Sequence, residues 1–148
     1  QYYALNVEGD VFTEADGILL ASPVYHSGIA GNMKCVLDRL FLAAGCGVNH
    51  MRHKVGGALC TLRRSGGSET YHQLLATMDC MEMVVVTSDY WGAVHGADPG
   101  EAMKDEEGVA VAAKLGRNMA WMVKVLNATK ETLPAPETGS RPMFNYIR

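Results

Sequence analysis

The sequence ADGILLASPVY, residues 15–25, contains the clearest structural pattern in the chain. Residues 17–22 form a short apolar run that Pro23 is expected to end. Two further runs of this kind occupy residues 55–62 and 83–87. Near-continuous apolar strands of this length suit a parallel sheet covered on both faces.

Apolar residues recur at helical spacing in the segments that follow each of these runs. Helices are therefore expected over residues 31–44, residues 68–80 and about residues 105–128. Strands that alternate with helices in this order predict a parallel α/β sheet with right-handed crossovers.

Length and charge limit the classes of function. A chain of 148 residues, 48% of them hydrophobic, can form one buried core. The formal net charge of −3 and the scattered Lys and Arg residues argue against a nucleic acid or a membrane surface as the main partner. No apolar run reaches the roughly 18 residues of a membrane span, and no targeting pattern opens the chain, so a cytoplasmic location is expected.

The spacing of the cysteine and histidine residues does not predict a metal site. Cys35, Cys46, Cys60 and Cys80 are widely spaced, so we expect reduced and mostly buried thiols rather than metal ligands. His50 and His53 are close together but lack further ligands nearby, which favours a solvated loop.

Two glycine-containing loops follow the first two predicted strands, and ligands of an open parallel sheet bind beyond the carboxyl ends of its strands. Residues 22–31 contain Gly28 and Gly31, and residues 62–69 contain Gly66 and Gly67. Glycines let the backbone approach a flat ligand, and the helix that follows each loop favours an electron-rich edge. The spacing alone is equally consistent with tight turns between strand and helix.

These segments resemble one family over roughly residues 14–126. Residues 15–25, continued by Gly28, Gly31, Met33-Lys34 and Leu37-Asp38-Arg39, resemble the third-strand segment of NAD(P)H-dependent FMN reductases and multimeric flavodoxins. The loop from Arg63 to Gly67 and the pair Tyr90-Trp91 are also similar to that family. The resemblance implies a flavodoxin-like α/β fold, a three-layer sandwich with a parallel sheet.

The resemblance also implies an FMN site, with NAD(P)H as the electron donor. Tyr90 and Trp91 would cover the flavin or receive a substrate ring, although packing is an equal alternative. No catalytic acid, base or nucleophile is expected, because the cofactor carries the chemistry. Asp38 and Arg39 are expected to form a structural ion pair. The implied cofactor-binding residues are Ser22, Pro23, Val24, Tyr25, His26, Arg63, Ser65, Gly66 and Gly67.

A β-branched residue at Gly66 is expected to abolish flavin retention while the fold stays largely intact. The implied function is an FMN-dependent NAD(P)H oxidoreductase that passes electrons to a quinone, a nitro or azo compound or a similar acceptor, as a homodimer or higher homo-oligomer. The alternatives are a flavodoxin-type electron carrier and a non-catalytic interaction module.

One departure from the family concerns the start of the chain. The family begins with a strand, a phosphate-binding loop, a helix and a second strand, a unit of roughly 30 residues that does not precede Glu14 here. We therefore expect a partial flavodoxin-like domain over residues 1–132, lacking its first βαβ unit, and an extended tail over residues 133–148. The strand at residues 17–22 would then have an exposed apolar edge that another chain or a further segment is expected to cover. Without such cover, weak FMN binding and a tendency to aggregate are expected.

Overall fold

The computed structural model describes residues 11–45 and 49–139 of the chain. The strands of the described part are β1 (Gly17–Tyr25), β2 (Gly28–Ile29), β3 (Val55–Leu62), β4 (Val84–Val85) and β5 (Ala93–His95). Its main helices are α1 (Gly31–Gly45), α2 (Gly67–Asp79) and α3 (Glu106–Thr129), with a short 3-10 helix at Glu101–Lys104. Residues 11–14 are also helical.

The sheet is built on β1 and β3, which lie side by side and run parallel. Their pairing runs from Gly17 opposite Val55 to Pro23 opposite Thr61. On the other side of β3, β4 pairs in parallel with its first residues and β5 with its last residues. The predicted parallel α/β order is confirmed.

The third predicted strand, residues 83–87, is divided in the structure. Only Val84–Val85 are assigned to β4, and the chain then leaves the sheet toward α3. The Ser88 hydroxyl donates to the Val111 carbonyl at 2.9 Å, and Asp89 forms an ion pair with Lys114. These polar contacts hold residues 88–89 on α3, and the chain rejoins the sheet as β5.

Helices cover both faces of the sheet. A β-carbon built on Gly56 would lie 2.5 Å from Met78 of α2, whereas one built on the next residue, Gly57, would lie 2.5 Å from Met119 of α3. Because successive strand residues point to opposite faces, α2 and α3 lie on opposite sides of the sheet. The buried residues of α1 belong to the same core as Leu74 and Met78 of α2. The expected three layers are therefore present.

The helix boundaries agree with the sequence pattern to within one residue at each end. The prediction that Pro23 ends the first strand is wrong, because β1 continues through Pro23 to Tyr25. Proline is tolerated in a strand at the edge of a sheet. Among the described residues, no strand pairs with the second edge of β1 from Gly17 to Pro23.

This edge carries exposed apolar surface, as expected from the sequence. Leu19 in β1 is 48% exposed, while its neighbours Ile18 and Leu20 are buried against the helices. Residues 1–10 and 140–148 of the predicted domain and tail lie outside the described residues, and so does Cys46.

Candidate functional site

The chain after β1 forms a β-hairpin instead of leading directly into a helix. Val24 pairs with Ile29 and Tyr25 pairs with Gly28, and the turn residues His26 and Ser27 have φ values of 49° and 58°. Positive φ at both central residues matches the twist of a two-residue hairpin turn. Tyr25 and His26 are exposed on this hairpin.

Ser22 lies at the base of this hairpin and is buried, with only 2% of its surface exposed. Its hydroxyl accepts a hydrogen bond from the Ala30 N–H at 2.9 Å and donates one to the Pro23 carbonyl at 2.9 Å. The Ser22 side chain therefore holds the two ends of the hairpin together. Its predicted role in cofactor binding stays a prediction.

The loop after β3 meets the hairpin at Gly66. Gly66 has a φ of 85° and precedes the first residue of α2. A β-carbon at Gly66 would lie 2.8 Å from the Ser27 Cα and 3.1 Å from a methyl carbon of Val24. The two loops expected to bind one ligand are thus in contact with each other.

This contact corrects the expected effect of a β-branched residue at Gly66. Such a side chain would collide with the backbone of Ser27 and would also require the positive φ that L-residues avoid. Such a substitution would therefore also disturb the packing of the hairpin against the loop. Gly66 is needed for the packing of the two loops, whatever they bind.

A third segment, between β4 and β5, adds two aromatic rings to this edge of the sheet. Tyr90 and Trp91 are 57% and 54% exposed. Their ring centroids are 4.7 Å apart with an interplanar angle of 57°. Two large rings that pack on each other while remaining half exposed can contact a flat ligand.

These rings line a cavity of about 390 Å³ beyond the carboxyl ends of β3 and β5. Of the predicted site residues, Ser65, Gly66, Gly67, Tyr90 and Trp91 line it, whereas the hairpin residues and Arg63 do not. Arg64 lines the cavity instead of Arg63. The predicted site residues therefore lie on two sides of the Gly66 loop, in the hairpin and in the cavity wall.

Two polar residues of this cavity, His95 and Asp105, were not among the predicted site residues. Asp105 was expected only to begin the last helix, and His95 stands four residues after Trp91. The Asp105 carboxylate accepts from the Gly108 N–H at 3.0 Å and from the His95 backbone N–H at 2.7 Å. The same carboxylate lies 3.3 Å from Nδ1 of the His95 ring.

These hydrogen bonds favour the charged form of Asp105. The Gly108 and His95 backbone N–H groups, with a smaller contribution from the His95 ring, hold the pKa of Asp105 below its ordinary value. A carboxylate that accepts two backbone N–H bonds is stabilised in its ionised form.

Replacing Asp105 with Ala is expected to lower the free energy of unfolding by about 1 to 2 kcal/mol at pH 7, because α3 loses its N-cap. Urea unfolding of the two proteins measures this difference. Since the pKa of Asp105 is depressed in the folded state, its contribution is complete above its unfolded pKa of about 3.9 and decreases as the pH falls through the folded pKa. The two proteins should therefore become more alike below about pH 4; a difference that persists there would contradict the assignment.

None of the three thiols in the described ranges, Cys35, Cys60 and Cys80, lines this cavity. Cys60 is buried, and burial raises the pKa of its thiol. Cys35 and Cys80 are exposed, which corrects the expectation that the cysteines are mostly buried. Cys80 follows the last residue of α2, where the helix ends at the surface. Among the described residues, no group of three His, Cys, Asp or Glu side chains could hold a metal ion.

A smaller expectation concerned the charged residues Asp38 and Arg39 of α1. Asp38 forms its ion pair with Lys34, one helical turn earlier, and not with the adjacent Arg39. Adjacent residues on a helix do not face each other, whereas residues four apart do.

In the described ranges, no helix has the length and apolar character needed to cross a membrane.

The chain matches known proteins in sequence. Residues 9–98 match the model of a family described as NADPH-dependent FMN reductase. An iron-sulfur flavoprotein of Methanocaldococcus jannaschii is 36% identical over 121 residues, which is 76% of this chain. The chain spans only 61% of the length of that relative.

Solved structures agree with this fold. RosB, solved with bound 8-demethyl-8-formylriboflavin-5'-phosphate, is similar over 97% of this chain and 67% of its own, with a TM-score of 0.65 and 15% identity. A flavodoxin, a WrbA-like protein from Agrobacterium tumefaciens, is similar over 74% of this chain and 71% of its own, with a TM-score of 0.53 and 17% identity. The chain therefore has a flavodoxin-like fold and belongs to the NADPH-dependent FMN reductase family.

Proposed function

We propose that this protein is an FMN-dependent oxidoreductase that takes electrons from NAD(P)H and passes them to a small acceptor. The observation that carries the proposal is the contact between the β1 hairpin and the Gly66 loop, beside an aromatic cavity at the carboxyl edge of the parallel sheet. Flat ligands bind at this edge in open α/β folds. Membership in an FMN reductase family supports FMN as that ligand.

The residues present fit an isoalloxazine ring. Gly66 carries no side chain that could cap α2, so the first N–H groups of this helix are free of a side-chain cap. Such N–H groups favour an electron-rich edge such as the carbonyls and nitrogens of a flavin. Ser65 and Gly67 lie beside them in the same cavity wall, and the exposed Tyr25 and His26 lie on the hairpin side.

This arrangement gives the cofactor and the protein different roles. Bound FMN supplies the capacity to accept two electrons from a nicotinamide and to release them to an acceptor. The two loops would hold the ring, and Tyr90 and Trp91 would receive the nicotinamide or the acceptor. A homodimer or higher homo-oligomer is part of the proposal, and light scattering during gel filtration measures it.

Titration of the purified chain with FMN, followed by anaerobic addition of NADPH or NADH, tests this function. We expect the flavin absorbance to shift on binding and then to bleach with at least one nicotinamide. The full-length Methanocaldococcus jannaschii relative, treated in the same way, is the positive control. Loss of the flavin during gel filtration from this chain, together with retention by the control, would contradict the proposal.

The same titration separates the proposal from a one-electron carrier. A carrier would bind FMN but would not be bleached by either nicotinamide, and only a chemical reductant would reduce it. An interaction module would bind no FMN at all.

A further inference from the structure

The cavity of about 390 Å³ has an aromatic wall made by three rings, those of Tyr71, Tyr90 and Trp91. Tyr71 is buried, whereas Tyr90 and Trp91 are half exposed. A cavity of this size holds a small organic molecule. The faces of aromatic rings carry negative partial charge, so they attract cations as well as other rings.

Three carboxylates line the same cavity from two different helices. Glu69 lies in the first turn of α2, and Asp105 and Glu107 lie at the start of α3. Within the described ranges, neither Glu69 nor Glu107 forms an ion pair. The guanidinium of Arg64 also lines the cavity, and each helix N-terminus is equivalent to about half a positive charge. These positive groups offset only part of the three negative charges, so the lining favours a cation.

Asp105 contributes charge to this lining, but its oxygens are already used as hydrogen-bond acceptors. Its Oδ1 accepts from the Gly108 N–H at 3.0 Å, and its Oδ2 accepts from the His95 backbone N–H at 2.7 Å. Oδ2 also lies 3.3 Å from Nδ1 of the His95 ring. A primary ammonium that leaves water needs acceptors for its three N–H donors. A quaternary ammonium has no N–H donor, so aromatic faces and nearby negative charge are sufficient to bind it.

We propose that this cavity binds an organic cation with a quaternary ammonium head, held against the aromatic wall. The rings of Tyr90 and Trp91 supply the contact surface, and the carboxylates of Glu69, Asp105 and Glu107 select positive charge. This inference goes beyond the proposed function, because it concerns the charge of the ligand and does not require bound FMN.

Three related probes test the proposal. Choline carries a quaternary ammonium, 3,3-dimethyl-1-butanol has carbon in place of the charged nitrogen, and ethanolamine has a primary ammonium instead. We expect choline to bind at least about tenfold more tightly than either of the other two at equal ionic strength. His95 also lines the cavity, so the titrations are made at pH 8, where ordinary histidine side chains are neutral.

The chain offers a reporter at the cavity itself. It contains two Trp residues, and Trp121 is exposed on α3, so a Trp121→Phe protein keeps Trp91 as its one indole. The indole N–H signal of Trp91 in a proton–nitrogen correlation NMR spectrum then follows each titration.

Glu107→Gln and Glu106→Gln form a matched pair of variants. Both side chains are exposed in the first turn of α3, but only Glu107 lines the cavity. Each substitution removes the same charge beside the same helix N-terminus. We expect Glu107→Gln to weaken choline binding by about threefold, and Glu106→Gln to weaken it clearly less. Binding of 3,3-dimethyl-1-butanol should be the same in both.

Tyr90→Leu tests the ring separately from the charges. Leucine keeps an apolar side chain at this exposed position but has no aromatic face. We expect choline binding to weaken by about fivefold, while 3,3-dimethyl-1-butanol binding changes less than choline binding does. Far-UV circular dichroism confirms that each variant is folded.

The outcomes separate this inference from the proposed function, because the titrations contain no flavin. A Trp91 signal that choline does not move, or equal affinities for choline and 3,3-dimethyl-1-butanol, would overturn the cation site. Equal affinity for ethanolamine would overturn the quaternary head, and equal losses in Glu106→Gln and Glu107→Gln would place the cation outside the cavity. Equal weakening of both choline and the alcohol by Tyr90→Leu would show that the ring acts only as apolar surface, against the proposal. Failure to bind or reduce FMN would overturn the proposed function alone.

Discussion

Gly92→Ala is expected to lower the free energy of unfolding by about 3 kcal/mol, because the added methyl group has no space. A β-carbon at Gly92 would overlap the backbone oxygen of Ala58 and lie 3.0 Å from the ring of Tyr71. The Gly92 carbonyl also accepts the Cys60 N–H at 2.7 Å, where the chain returns to the sheet before β5. Neither backbone can move without loss of this pairing. Urea unfolding, followed by far-UV circular dichroism, measures the change.

Gly116→Ala is the matched control for this substitution. Gly116 lies inside α3, and a β-carbon there would have no atom within 4 Å. The same chemical change should raise the free energy of unfolding by about 0.5 to 1 kcal/mol, since alanine restricts the unfolded chain and favours a helix. Equal effects at the two positions would show that Gly92 is not a close-packed point of the fold.

A substitution at Gly92 is expected to affect function locally, at the cavity. It is adjacent to Trp91, so a shift of its backbone moves the aromatic wall of the cavity. In a Gly92→Ala protein that still folds, the cavity side of the site should be disturbed more than the hairpin side.

The helices and the parallel order of the sheet were predictable because they depend on periodic burial. A helix of 24 residues such as α3 repeats its apolar positions turn after turn, so the sequence pattern identifies its buried face repeatedly. The strand β3 is buried on both faces over most of its length, and β1 is buried on one face, and both have continuous apolar runs. Such patterns are properties of neighbouring residues along the chain.

Features that depend on a single contact between distant residues were not predictable. The His26-Ser27 turn contains neither Asn nor Gly, the residues that usually mark such a hairpin. The division between β4 and β5 depends on Ser88 reaching the carbonyl of Val111 in a helix that follows much later. The pairing of His95 with Asp105 likewise requires the return of the chain through the 3-10 helix.

The candidate site was predictable only in part for the same reason. The loops after β1 and β3 were identified from their glycines and from their place at the strand ends. Their arrangement in space was not, so the residues of both loops were expected to surround one flavin ring. The contact between Ser27 and Gly66, which lies between these two groups of residues, comes from packing between residues that are far apart in the sequence.

Gly66→Ala is expected to lower the free energy of unfolding by about 3 kcal/mol and to abolish FMN retention on gel filtration. Part of the loss, about 1 to 2 kcal/mol, comes from placing an L-residue at a φ of 85°. The remainder comes from the overlap of the new methyl group with the Ser27 backbone, which forces the hairpin away from the loop. Urea unfolding measures the first effect, and the flavin absorbance of the eluted protein measures the second.

Gly100→Ala separates the two contributions. Gly100 has nearly the same backbone conformation, with a φ of 86°, but a β-carbon there would have no atom within 4 Å. This control should lose only the 1 to 2 kcal/mol or so that comes from the backbone, and it should retain FMN as the wild-type protein does. The difference between the losses of unfolding free energy in Gly66→Ala and Gly100→Ala then measures the energy needed to separate the two loops. Loss of flavin from Gly66→Ala alone shows that the contact between the loops is part of the binding site. Equal stability losses at Gly66 and Gly100 would mean that the hairpin moves away from the methyl group without destabilising the protein. FMN retention by a folded Gly66→Ala protein would mean that the cofactor does not depend on this junction.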